Sequence, residues 1–282
     1  MIPILDTHQH LIDPALGTYS WTDGIPALAG QAFDDSDYHR EIAGTGIAGA
    51  IFVDSMPDQW QQEAAHIYQL ATKSGSMIRG VVATCRPERD DFQRYLDEIR
   101  HPLLVGVRRI CHVEPDDFSQ QDGFVANVRH LGTLGLSFDL CFLARQLPLA
   151  IDLARKCPEV SFILDHCGVP DIAGGAFDSW QRDIRTLAAL PNVACKISGL
   201  PAYCAPGQAT VEVLRPWVEH AIECFGWARV VWGGDWPVCT IAGALREWVA
   251  TSRELLSQAS EDEQHALFHR NATRIYRIAG SH

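Results

Sequence analysis

Eight short apolar runs, most of them followed by a longer amphipathic stretch, leave this chain few folds to choose from. The runs cover residues 2–10, 48–54, 77–84, 103–110, 136–142, 160–167, 193–198 and 229–235. The amphipathic stretches include residues 58–74, 89–100, 124–134, 147–156, 179–190 and 214–225. Strands that are apolar almost throughout are buried on both faces, as parallel strands are when helices pack outside them. Eight such units in 282 residues predict an α/β fold, a (β/α)8 TIM barrel. A doubly wound open sheet is the competing arrangement.

Composition fits one large core, with 47% hydrophobic and 21% charged residues. No linker-like or low-complexity stretch divides the chain, so residues 1–282 are read as a single domain. The segment over about residues 11–40 is long for a βα loop and carries Trp21, Asp23 and Tyr38. It reads as a lid or binding loop, with a packed insertion as the alternative. The closing ALFHRNATRIYRI reads as helix, with Leu267, Phe268, Ile275 and Tyr276 against the barrel.

A formal net charge of −12 argues against nucleic acid or an anionic membrane as the main partner. No apolar run reaches the roughly 18 residues of a membrane span and no basic-then-apolar leader is present, so a cytoplasmic protein is expected. Nine cysteines without a C-x-x-C pair read as reduced thiols. Cys85, Cys111, Cys141, Cys167 and Cys195 fall in or just after strands, as small apolar fillers or, alternatively, as a thiolate ligand or nucleophile.

In a barrel, chemistry belongs at the carboxyl ends of the strands. The first run closes on His8 and His10 (DTHQH), the sixth on Asp165 and His166 (LDHCG), the last on Asp235 (WGGDWP). Twelve histidines make roughly 0.5 H-x-H pairs expected by chance, so the first pattern needs its context. That context is a strand, where residues two apart share a face. His8 and His10 are therefore expected to converge, with Gln9 turned away. By the same alternation Asp165 is expected on the opposite side from His166, as a structural partner. Only one of Arg108 and Arg109 can face the barrel axis.

Together these motifs resemble the amidohydrolase superfamily, and within it the sugar-lactone hydrolases typified by fuconolactonase-like and rhamnonolactonase-like proteins. The resemblance runs nearly end to end: DTHQH, GVRRI, LSFDL, LDHCGVP, PNVACKISGL, LRPWVEHAIECFGWARVVWGGDWPV and NATRIY. It implies a catalytic cluster of His8, His10, His166 and Asp235. No lysine suited to carbamylation lies on the fourth strand and no histidine ends the fifth, so a two-metal site is not expected. The branch includes single-metal and metal-free enzymes, which leaves one divalent ion, zinc first, or none. Gly234 stands where relatives carry serine, a change expected to leave Asp235 undisturbed.

Imidazole and carboxylate are both zinc ligands, so His8, His10, His166 and Asp235 are the expected metal set; His8 and His10 could instead donate to a carbonyl oxygen. Asp235 is the expected general base and His166 the group that polarises the carbonyl. The resemblance favours Arg108 as the inward arginine. Arg108, His112, Lys196, Trp21 and Trp236 are candidate substrate contacts, with Ser198 on the face of Lys196. His39, His66, His101, His130, His220, His265 and His269 are expected on solvated helices or loops. The leading function is hydrolysis of a sugar-acid lactone in sugar catabolism. Alternatives on the same site are a dicarboxylate lactone hydrolase, a lactone isomerase and a decarboxylase; a barrel that merely binds a metabolite is disfavoured by the intact set of four. The expected partner is a small-molecule lactone, and a homo-oligomer is an option that no motif decides.

Overall fold

The computed structural model describes residues 2–278, and all eight predicted strands are present among them. They are β1 (Ile4–Gln9), β2 (Ile47–Val53), β3 (Ile78–Thr84), β4 (Leu104–Ile110), β5 (Ser137–Cys141), β6 (Ser161–Leu164), β7 (Val193–Ile197) and β8 (Val230–Trp232). Consecutive strands pair in parallel, in sequence order. β8 returns to β1 through the Gln9–Trp236 bridge, with His10 N donating to Trp236 O at 2.8 Å and Asp235 N to His8 O at 2.7 Å. This closure sets aside the open-sheet alternative.

The helices are α1 (Asp35–Glu41), α2 (Glu63–Ala71), α3 (Phe92–Glu98), α4 (Asp122–Leu134), α5 (Leu147–Lys156), α6 (Phe177–Ala188), α7 (Val211–Phe225), α8 (Leu245–Leu255), α9 (Glu261–His265) and α10 (Asn271–Ile275), the last two joined by a π turn. The main core lies between strands and helices and includes Phe52, Phe124, Phe138, Phe162 and Trp180. Each buried phenylalanine contributes about 1.5–3 kcal/mol relative to exposure. A second, smaller core fills the barrel axis with Leu5, Ile51, Val82, Ile163 and Val231. Tyr276 enters this axial core and donates to Asp139 at 3.1 Å, so the C-terminal segment plugs the barrel as well as packing on it.

The sixth and eighth strands stop short of their predicted ends. His166, Cys167 and Asp235 have φ of 52°, 52° and 57°, a left-handed backbone that cannot continue a strand. The loop after β1 is ordered by an Ile12–Phe33 bridge and fastened to the β2–α2 loop. Trp21 Nε1 donates to Ser55 O at 2.8 Å, Thr18 and Ser20 bond Asp58, and His66 pairs with Asp13 at 2.7 Å. His220 is not solvated: it lies against Phe177 and Trp180, and its Nε2 donates to Gln181 O at 3.0 Å.

Candidate active site

The end of β1 brings His8 and His10 inward together. Register shifts interrupt the β1–β2 ladder near Ile4 and again between Asp6 and Gln9. The second shift resets the alternation, so Leu5 lies in the axial core and His8 and His10 still face the barrel interior above it. Gly233 makes room for His8: a Cβ there would stand 2.8 Å from His8 Cβ.

The Nε2 atoms of His8 and His10 lie 3.1 Å apart, and Asp235 Oδ1 lies 3.7 Å from the first and 3.4 Å from the second. His10 Nδ1 faces the Val53 carbonyl at 3.0 Å, which only accepts, so Nδ1 carries a proton and donates. Arg108 Nη1 and Lys196 Nζ, which only donate, face His8 Nε2 and Nδ1, each at 3.1 Å, and Asp165 Oδ1 lies 3.5 Å from Nδ1. Burial first, and Lys196 second, hold the His8 pKa well below its usual value, so that ring is neutral. Two imidazole Nε2 atoms and a carboxylate oxygen thus converge. Donors about 2.0–2.1 Å from a tetrahedral zinc ion lie roughly 3.4 Å apart, so these three fit a divalent cation in spacing and in chemistry.

His166 approaches from the other side. Its Nδ1 is 2.9 Å from Ser198 Oγ and 3.9 Å from Asp235 Oδ2, and burial, as the largest effect, lowers its pKa. The Asp235 Oδ2 atom is buried and has no hydrogen-bond partner. Gly199, at φ 65°, lets both groups in: a Cβ there would stand 2.6 Å from Asp235 Oδ2 and 2.6 Å from His166 Nδ1. A Cβ on Gly234 would instead point at Asp6 and Leu245.

Beneath the cluster lies a block of buried charge. Lys196 bonds Asp139 at 2.7 Å and Asp165 at 2.8 Å, and Arg108 bonds Asp54 and, at 3.2 Å, Asp165. Burial alone would lower the Lys196 pKa, but Asp139 and Asp165 outweigh it and hold the ammonium well above its ordinary value. Burial would raise Asp165; Lys196, His8 and Arg108 reverse that and hold it well below the usual carboxylate range.

Several expectations change on this geometry. Asp165 points inward, because the left-handed turn begins at His166 and leaves Asp165 in the inward phase of β6, next to the layer of Ile163. Arg108 is the inward arginine, yet it is only 3% exposed and its donors are taken by Asp54, Asp165 and His8. Lys196 is 0% exposed. Both are paired with carboxylates beside the cluster. Arg109 turns outward to Glu88 and Glu114. The Trp236 ring is buried against Phe33 and Tyr38, because the turn that sends Asp235 inward sends its neighbour out. Ser198 is spent on His166. His112 stays near the cluster, 3.9 Å from Cys141 Sγ, with its pKa lowered to about 4 by burial and then by Arg108 and His166. Trp21 is half-buried and held by Ser55. Burial pushes the Cys85, Cys141 and Cys195 thiols well up and Cys111 up to about 12, so these are neutral fillers.

Sequence reasoning passed over Asp54, Glu63, Asp139 and Tyr203. Asp54 closes the second apolar run and Asp139 interrupts the fifth, and a charged residue in such a run was the available signal. Tyr203 lies with its ring 6.1 Å from that of His166, in a loop without a motif.

The amidohydrolase family model matches residues 5–278. The chain is 27% identical over 280 residues to a protein of Burkholderia ambifaria named L-fucono-1,5-lactonase, covering 97% of this chain and 95% of that one. It is 28% identical over 287 residues to a protein of the same name from Burkholderia multivorans, covering 97% and 96%. Among solved structures it is similar to a crystal structure of an amidohydrolase from Burkholderia multivorans with bound zinc, at a TM-score of 0.89 and 26% identity, covering 98% of this chain and 99% of that one.

Proposed function

The chain belongs to the amidohydrolase family, and we propose that its barrel mouth hydrolyses a neutral sugar-acid lactone to the open hydroxy acid. One observation carries the reading: Asp235 stands among three imidazoles at the carboxyl ends of the strands, its Oδ1 near His8 and His10 and its buried, unpartnered Oδ2 near His166. Full-length likeness to two proteins named as fuconolactonases supports the same reaction class.

The chemistry follows from the partners. Asp235 Oδ2 accepts a proton from a water as the water oxygen bonds to the lactone carbonyl carbon and the C=O electron pair moves onto oxygen. With the Ser198 hydroxyl donating to Nδ1, His166 carries its ring proton on Nε2 and offers that N–H to the developing oxyanion. The tetrahedral species collapses, the ring C–O bond breaks, and Asp235 returns its proton to the leaving ring oxygen. His8, His10 and Asp235 would hold a divalent ion, zinc by ligand type, which when bound supplies Lewis acidity to the carbonyl or the water.

Charge selects the substrate class. Arg108 and Lys196 face Asp54, Asp139 and Asp165, and Asp235 adds a fourth carboxylate, an excess of two negative charges that one divalent ion would balance, leaving no surplus cation for a carboxylate-bearing substrate. With both cations already paired, a dicarboxylate lactone finds no anchor among them. The nine free thiols support a reducing, cytoplasmic setting.

The test is proton release in weakly buffered indicator solution over freshly prepared aldono-lactones, each corrected for spontaneous opening. Stereoselective acid release is expected. Folded protein that accelerates no lactone overturns the reading, and activity confined to dicarboxylate lactones overturns the charge argument.

A further inference from the structure

Glu63 opens α2, yet its side chain is buried among polar groups at the barrel rim. Its Oε1 accepts from Ser55 N at 2.8 Å, and its Oε2 lies 3.1 Å from Thr84 Oγ1. The same Thr84 hydroxyl lies 3.0 Å from Asp54 Oδ2. One hydroxyl has one hydrogen, so it cannot donate to two carboxylates at once. Arg108, which only donates, takes Asp54 as its carboxylate, through Nε to Oδ1. The remaining contact is satisfied when Glu63 carries a proton and donates it to Thr84 Oγ1, which donates onward to Asp54. A single direction of donation then runs from Glu63 through Thr84 to Asp54.

The segment that Glu63 holds is a junction. Val53 O fixes the His10 tautomer, Asp54 orients Arg108 against His8, and Ser55 Oγ accepts from Leu11 N at 3.0 Å. Ser55 O receives the Trp21 indole of the first loop. Three consecutive residues at the end of β2 therefore reach both imidazoles and the loop beside them.

We propose that Glu63 is a positioning residue of this site, a neutral carboxylic acid that clamps Asp54 and Ser55 and through them sets His8, His10 and Arg108. Its role in turnover rests on the lactone-opening reading; its protonation state does not. The groups facing it are Asp54 and Arg108 from the neighbouring strand ends, Thr84 of β3, Tyr19 of the first loop and Tyr95 of α3. Burial, then the Asp54 charge, push its pKa up to about 8. Above that value a second buried carboxylate faces Asp54 and the clamp opens.

Two measurements test this. The first is a carbon NMR titration of glutamate carboxyls in the full chain, with the Glu63 signal assigned by its loss in Glu63→Gln. A Glu63 carboxyl that titrates near 8 supports the proposal; one already ionised at pH 6 overturns it, whatever the substrate proves to be. The second is kcat/KM between pH 6 and 9 on a lactone that the wild-type protein opens, corrected for spontaneous opening. The wild type should lose about tenfold on the alkaline side. Glu63→Gln, which keeps a neutral donor and acceptor, should stay within about threefold of wild type at pH 7 and lose that alkaline limb. An unchanged limb in Glu63→Gln overturns the proposal. Thr84→Val, which breaks the relay while keeping shape, should lower kcat/KM at least tenfold with little change in melting temperature; full activity there is equally fatal.

Discussion

His8 Nε2 and His10 Nε2 face each other at 3.1 Å, with Asp235 Oδ1 3.7 Å from the first and 3.4 Å from the second. Three donor atoms at this spacing match the ligands of one cation. Zinc or cobalt should therefore stabilise the protein, by about 2.7 kcal/mol at a free metal concentration near 100 times Kd. His10→Ala should remove most of that increment in calorimetry and thermal melts. A wild-type protein whose melting temperature ignores both metals would sink the metal assignment.

Asp235 carries the heaviest chemical demand. Asp235→Asn keeps the shape of the side chain and deletes the base, so kcat should fall about 10² to 10⁴ with KM changed far less. The variant should remain folded, because Oδ2 has no partner to lose. Full turnover in a folded Asp235→Asn protein would remove the proposed base.

Gly199 tests whether the spacing of His166 and Asp235 matters. Alanine at this position must adopt φ 65° and place its Cβ 2.6 Å from both side chains. A loss of about 1–3 kcal/mol in stability is expected from the backbone alone. Displacement of the two groups should add a drop in kcat, and stability loss with kcat intact would show that the site tolerates the shift.

The strand order and the four-residue cluster were legible because apolar runs and motif endings mark parallel strands and their carboxyl ends directly. Asp165 was misplaced because alternation assumes an extended chain, and nothing in LDHCG announces a left-handed turn at His166. The pairing of Arg108 and Lys196 was not legible because their partners, Asp54, Asp139 and Asp165, belong to three other strands or the turns that follow them. Pairing across a closed barrel depends on register, which local pattern does not encode. Glu63 was hidden in an amphipathic helix, where an acid in the first turn ordinarily faces solvent.

Lys196 tests the buried block itself. Its raised pKa contributes stability that is present below its usual 10.5 and is lost as pH rises past the higher folded value. Asp165, depressed below 3.8, contributes stability that is present above 3.8 and is lost as pH falls through the lower folded value. The pair therefore supports the fold across the whole interval between about pH 4 and 10. Lys196→Met fills the same volume but leaves Asp139 and Asp165 without their shared cation, at a cost of about 3–5 kcal/mol. Asp139 is pushed up to about 6 even with Lys196 beside it, burial being the first cause, so in the variant it should take up a proton more readily still. The penalty should consequently be largest at pH 8 and shrink toward pH 5, as chemical denaturation at the two pH values would read. An equal penalty at both would mean that the methionine perturbs packing and that the charges beneath His8 are already balanced by another group.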